Sequence, residues 1–299
     1  MIRLEGTNGS EVAAYIGRER HRVGSPTTGM VLTLLILADE SSQSDATAAA
    51  VAAARLHPMR ILTFVPRPQD QQTRLDAEIS VGGDDGPGEV AVLRLRGLLA
   101  EHANSVAVPL LLADTPVVAY WPGAAPAIPA DDPIGRHALR RITDAAADLN
   151  PQHALRVRRD GYRSGDTDLA WARLTPWRSL LATVFDAWTP KVLEGRIRAQ
   201  EHDPSALLLA SWLRRCFRAS VSVDWDQGPG LTSVALETKA GPLLMTRPDG
   251  HTAVLRRPGA PDAQVALPRR GLDALLAEEL RRLDPDEAYQ HAIEGIDDE

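Results

Sequence analysis

Arginine is the residue this chain concentrates where chemistry with anions could occur. Between Arg136 and Arg178 lie nine arginines (136, 140, 141, 156, 158, 159, 163, 173 and 178) and five aspartates (144, 148, 160, 166 and 168), a local excess of four in a chain of formal net charge -7. The guanidinium is a planar fork that grips carboxylate or phosphate through paired hydrogen bonds, so such a run suits a phosphate-bearing ligand or an acidic protein surface. A solvated, salt-bridged face accounts for the same count, because surface ion pairs stabilise little. Within the run, Arg140 and Arg141 stand together. Asp166, Asp168, Trp171, Arg173, Trp177 and Arg178 share one short segment that reads as a recognition element. Its aspartates suit acid–base work or a divalent cation, and equally the capping of a helix N-terminus. Its tryptophans suit contact or plain core packing.

Tyr120-Trp121-Pro122-Gly123 is the second candidate, since it ends an apolar run that reads as a strand of a parallel sheet, the edge where α/β folds place ligands. Other constellations fall short. Gly82-Gly83-Asp84-Asp85-Gly86-Pro87-Gly88 has neither dinucleotide nor Walker spacing, and its aspartates repel phosphate. The eight histidines show no metal-ligand pairing, and no serine sits in a nucleophile elbow. The expectation is therefore no catalytic residue, no metal and no cofactor.

The elements that must position these groups follow from periodicity. Residues 1–25 read as a short helix and a flexible lead-in. Val31–Leu37, Arg60–Val65, Arg74–Val81, Glu89–Leu95 and Pro116–Trp121 read as strands, with helices over Asp45–Leu56 and Leu98–Leu111. The fold class predicted is α/β: an N-terminal mainly parallel sheet with helices on both faces over 26–145, then a C-terminal α+β domain over 191–299 with an antiparallel meander. Residues 146–190 read as arginine- and tryptophan-rich connecting helices. There Asp166 or Thr167 caps a first short helix, and Thr175-Pro176 opens a second, whose Trp177, Leu180, Leu181, Val184 and Phe185 share a face. Arg173 and Arg178 then stand at its boundary as contact residues. Helices over Leu272–Leu283 and Pro285–Ile293 are expected to cover the meander.

Composition bounds the function classes. The net charge of -7 argues against wholesale nucleic-acid binding, and no segment is long and apolar enough to span a bilayer or act as a leader, so a cytoplasmic protein is expected. The single cysteine, Cys216, forbids an internal disulfide and falls at i+7 from Leu209 on a helix opened by Asp203-Pro204, which predicts a buried thiol.

These segments also carry a resemblance. Val117–Gly123, Arg140–Asp144, Gly165–Leu181 and Glu278–Glu287, with Leu75–Ile79, Val108–Leu112, Arg247-Pro248-Asp249-Gly250 and Leu267-Pro268-Arg269-Arg270, run in the order of the OpcA family of glucose-6-phosphate dehydrogenase assembly proteins of actinobacteria and cyanobacteria, which this chain resembles nearly end to end. The resemblance implies a non-catalytic partner that binds and activates glucose-6-phosphate dehydrogenase in the oxidative pentose phosphate pathway. The paired-cysteine control of cyanobacterial members does not carry over to a chain with one cysteine. The alternative is an enzyme or sensor for a sugar phosphate or nucleotide that uses the arginine-rich middle, and a phosphorylated metabolite stays open as a ligand.

Overall fold

The computed structural model describes residues 1–23, 30–82 and 88–297. They divide into two compact units, one of Met1–Asp144, Arg163–Thr167 and Gly271–Pro285, the other of Ala145–Tyr162, Asp168–Arg270 and Asp286–Glu299.

The first unit is built on an eight-stranded sheet. Its parallel part joins β2 (Leu32–Leu37), β3 (Met59–Arg67), β5 (Glu89–Arg96), β6 (Val117–Trp121) and β7 (Arg140–Thr143), while β4 (Arg74–Val81) runs antiparallel to β5 and to β1 (Ile2–Thr7). With β8 (Asp166–Asp168) the order is β1-β4-β5-β3-β2-β6-β7-β8. Leu32 to Ile36 are all buried, as a strand covered on both faces requires. Helix α1 (Gly9–Val23) sets Val12 and Ile16 against Leu62, Phe64 and Leu93 on one face. Helix α2 (Gln43–Ala53) covers the other, with Thr47 Oγ1 2.8 Å from Thr63 Oγ1, and α7 (Leu272–Arg281) packs beside α2.

Three expectations need correction here. The short helix expected within residues 1–25 is α1, but a strand precedes it: Ile2 and Leu4 pair with Ile79 and Ala77, so β1 covers an edge of β4 that would otherwise be open, while residues 24 and 25 of the expected lead-in lie outside the described residues. The helix expected over 98–111 is broken into two 3₁₀ turns around the five-residue α3 (Ala103–Ala107), and Pro109 in the second turn supplies no N–H. Helix α7 belongs to this unit and packs on α2 instead of covering the meander. The centre of the glycine-rich loop, 83–87, lies outside the described residues.

The second unit carries a six-stranded sheet of order β10-β9-β11-β12-β13-β14, formed by β9 (Val192–Gln200), β10 (Ser220–Asp226), β11 (Leu231–Thr238), β12 (Leu243–Thr246), β13 (Thr252–Arg256) and β14 (Ala263–Ala266). The last four form the antiparallel meander expected, but β9 and β10 run parallel across helix α6 (Pro204–Phe217). With α4 (Pro151–Asp160), α5 (Leu169–Ala187) and α8 (Glu287–Glu294), these strands enclose Trp171, Trp177, Leu181, Leu209, Val234, Met245 and Ile293.

Helix α5 is one continuous helix, not two, and its N-cap is Asp168, whose carboxylate accepts from Ala170 N at 2.9 Å. Pro176 sits inside it. A proline there removes the bond to the carbonyl four residues back, that of Ala172, and the Arg270 guanidinium donates to that oxygen at 3.3 Å in its place. Cys216 is exposed, contrary to the helical stripe. In the last turn of α6, before Arg218 adopts a left-handed conformation (φ 51°), packing passes to Phe217, whose ring lies 4.6 Å from that of Phe185. Burial of its surroundings still pushes the Cys216 thiol above its usual pKa, with Arg215 opposing. No described helix is long and apolar enough to cross a membrane.

Candidate functional site

The carboxyl ends of β2, β3 and β6 open on a cavity of about 300 Å³ lined by Leu37, Ala38, Asp39, Pro66, Trp121 and Gly123 among others. Trp121 reaches it, while Tyr120 is fully buried. In a doubly wound fold the turn from such a strand into the next helix is where backbone amides meet a phosphate. Here that turn holds a carboxylate of its own. Asp39 Oδ1 accepts from Ser42 N at 2.7 Å, Ser42 Oγ at 2.7 Å and Ser41 Oγ at 2.8 Å. The Ser42 hydroxyl first, then that of Ser41 and the Ser42 amide, hold Asp39 below the usual carboxylate range, so the group is anionic at neutral pH.

The arginine-rich stretch is distributed among separate tasks. Arg140 is buried with its partner Glu279 and donates to Asp284 O at 3.0 Å. Arg141 pairs with Asp166 and donates to Ala138 O at 2.8 Å. Burial pushes Asp166 upward, against the Arg141 guanidinium that favours its anion. Asp168 is fully buried, taking Ala145 N at 2.9 Å besides its capping bond. Trp171 Nε1 donates to Asp286 at 2.9 Å, and the Arg178 guanidinium lies 3.7 Å from the Trp171 ring centroid. Arg178 Nη2 also donates to Thr175 Oγ1 at 2.8 Å.

Arg173 and Trp177 meet a different company. With Pro176, Asp203, Ser205, Gly230, Leu231, Arg247, Pro268, Arg269 and Arg270 they line a recess of about 60 Å³ in the second unit. Four guanidiniums and one carboxylate thus line one small space. Arg247, 5% exposed, lies 5.0 Å from the Trp177 ring centroid and donates to Leu267 O at 3.0 Å and Leu231 O at 2.9 Å, but its Nε has no hydrogen-bond partner. Ser205 is 1% exposed, and its Oγ has none either. Burial first, then the charge of Arg269, lowers the pKa of Arg247, with Asp203 and Asp249 opposing. Gly230 has φ +69°, and a Cβ there would stand 3.4 Å from Asp203 Oδ2 and 3.9 Å from both Arg247 Nη2 and Arg269 Nε.

Sequence reasoning singled out Arg173 and Trp177 of this recess and passed over Ser205, Arg247, Arg269 and Arg270 as site residues. The available signal was the arginines in Arg247-Pro248-Asp249-Gly250, whose last three residues read as a turn, and in Leu267-Pro268-Arg269-Arg270, which entered only as a segment carrying the family resemblance. Among the described residues, no group of three or more His, Cys, Asp and Glu is placed to hold a metal ion.

Charge is handled differently on the outer face of β4 and β5. There Arg96 pairs with Asp76 (2.6 Å) and Asp70 (2.5 Å), Arg94 with Glu78 (3.3 Å) and Glu40 (3.7 Å), Arg3 with Glu78 (2.5 Å) and Arg67 with Glu40 (2.5 Å). Burial pushes Asp76 and Glu78 upward, but Arg96 and the Gly6 amide on Asp76, and Arg3 and Arg94 on Glu78, outweigh it and hold both below the usual carboxylate range.

Among curated proteins none matches this chain. Among solved structures, KijD10, a 3-ketoreductase from Actinomadura kijaniata in complex with NADP and TDP-benzene, is similar at 10% identity and a TM-score of 0.47, over 89% of this chain and 94% of that one. A protein described as a putative myo-inositol dehydrogenase from Sinorhizobium meliloti aligns at 12% identity and a TM-score of 0.43, over 88% and 94%. Residues 50–160 match the glucose-6-phosphate dehydrogenase subunit N-terminal domain, and residues 164–293 match the C-terminal domain of the same subunit. With both domains present in order and joined almost directly, the chain belongs to the OpcA family of glucose-6-phosphate dehydrogenase assembly proteins.

Proposed function

We propose that this protein is a non-catalytic assembly factor and allosteric activator that binds glucose-6-phosphate dehydrogenase in the cytoplasm and favours its active form, at the entry to the oxidative pentose phosphate pathway. The observation that carries the non-catalytic reading is Asp39. A dehydrogenase of doubly wound fold offers the helix N-terminus after its first parallel strand to the cofactor pyrophosphate. In this chain the amide and hydroxyls at that position are taken by a carboxylate that stays anionic, with Glu40 beside it. A dinucleotide would have to displace that negative charge from the amide and hydroxyls it occupies.

An activator without chemistry of its own works by binding the active form of its partner more tightly than the inactive form. The expected outcome is co-elution with the cognate dehydrogenase and a raised turnover or lowered KM that saturates at a fixed stoichiometry. Absence of association at micromolar concentrations, with and without substrate and cofactor, would overturn this reading. Arg173, half-buried at the mouth of the recess, is the proposed contact residue from the recognition segment. Arg178, stacked on Trp171, contributes by holding that segment in shape.

A further inference from the structure

The recess lined by Arg173, Ser205, Arg247, Arg269 and Arg270 is a site whose polar groups are arranged for a ligand. Two of them are decisive. Arg247 and Ser205, both more than nine-tenths buried, are among the residues that line the recess, and the Nε of the one and the Oγ of the other have no hydrogen-bond partner. Leaving such groups unsatisfied is costly, and native proteins do so where a water, an ion or a ligand completes the bond.

Charge points the same way. The lining carries four guanidiniums against the single carboxylate of Asp203, one oxygen of which is engaged at 2.9 Å by Ser205 N as the N-cap of α6. Arg247 and Arg269 act on each other as like charges, and an anion between them would relieve that repulsion. The first turn of the 14-residue α6 adds its dipole on the same side. Gly230 keeps the space between Asp203, Arg247 and Arg269 free of a side chain.

Size restricts the ligand. About 60 Å³ is several times the roughly 10–15 Å³ that one water needs, which is room for a single phosphoryl group and not for a whole nucleotide. The Trp177 ring, buried and under Arg247, offers no free face for a base to stack on. Arg269 is exposed, so the remainder of a larger ligand would project past it into solvent.

We infer that this recess is an anion-binding site for the phosphoryl group of a small phosphorylated metabolite. Arg247 and Ser205 donate from the floor, and Arg173 and Arg269 donate from the rim. Arg270 stays partly committed to the Ala172 carbonyl that Pro176 frees.

The test is isothermal titration of the full chain at low ionic strength with inorganic phosphate and, separately, with glucose 6-phosphate. Saturable binding at one site per chain is expected, weakened about tenfold by Arg269→Gln and by Ser205→Ala, the usual loss when a hydrogen bond to a charged group is removed. Ser205→Ala deletes a hydroxyl without a partner, so its melting temperature in the absence of ligand should equal or exceed that of the parent. That keeps loss of binding distinct from loss of fold. Tighter binding of glucose 6-phosphate than of phosphate would assign the site to sugar phosphates, and equal binding would assign it to the anion alone; either supports the inference. No saturable binding of either probe at 10 mM, or binding that both variants leave unchanged, would overturn it. The test requires no dehydrogenase, so its result stands apart from that of the assembly experiment.

Discussion

The outer face of β4 and β5 and the recess beside Trp177 are both rich in arginine, yet they use it in opposite ways. On the strands, Arg3, Arg67, Arg94 and Arg96 interleave with Glu40, Asp70, Asp76 and Glu78 until the charges close on one another. In the recess, four arginines and one carboxylate line the same small space, and the Nε of Arg247 and the hydroxyl of Ser205 have no hydrogen-bond partner. The strand face is a finished network whose members gain little from a ligand. The recess is an unfinished one. A local count of charges in the sequence cannot separate these cases, because what decides is which arginines the fold brings to the same few ångströms.

The largest break in that comparison would come from the floor of the recess. Trp177→Ala should destabilise the protein by about 3–5 kcal/mol, as truncation of a buried aromatic does, and should abolish phosphate binding with it. Urea unfolding and titration on the same variant would check both, and a variant that unfolds and binds phosphate like the parent would show that Trp177 supports neither. Arg178→Ala comes next. It should cost about 1–2 kcal/mol through the lost stacking on Trp171 while leaving phosphate binding intact, since Arg178 does not line the recess. Loss of binding in a variant that still melts cooperatively would place Arg178 in the site.

The strand network should respond weakly and to different conditions. Glu78→Gln, at a half-buried carboxylate, should cost about 0.5–1 kcal/mol and less at high salt, and Asp76→Asn, whose buried carboxylate accepts from Arg96 and the Gly6 amide, about 1–1.5 kcal/mol. Both carboxylates are held below their usual range, so the stability they contribute is present above that range and is lost as pH falls through their depressed values, below about pH 4. Acid unfolding of parent and the double variant Asp76→Asn/Glu78→Gln would check the sign: the variant should lose less on acidification. The smallest effect belongs to Cys216→Ser, expected within about 0.5 kcal/mol because the side chain is exposed.

Much of the scaffold was legible in the sequence. Continuous apolar runs placed β2 and β6, turn residues separated the strands of the meander, and Asp203-Pro204 marked the start of α6. Three of the misreadings share a cause, tertiary surroundings that no local signal carries. Pro176 read as a helix start because the sequence cannot show that a guanidinium from residue 270 would take over the Ala172 carbonyl. Cys216 read as core because a helical stripe does not reveal where the covering elements stop. The edge strand β1 went unseen because its pairing partner lies about seventy residues away. Of the candidate site, Arg173 and Trp177 were visible as neighbours along one helix. Ser205, Gly230, Arg247, Arg269 and Arg270 come from separate stretches that no periodicity joins.

The solvent-facing Cys216 has a practical consequence. As the chain's single thiol, it allows one fluorophore to be attached at a known position through maleimide chemistry, without first removing competing cysteines. The raised pKa of the thiol means that coupling will be slow at neutral pH and faster in mildly alkaline buffer. The same lone thiol allows only intermolecular disulfides, so stored protein should accumulate covalent dimers in proportion to its concentration unless reductant is kept present.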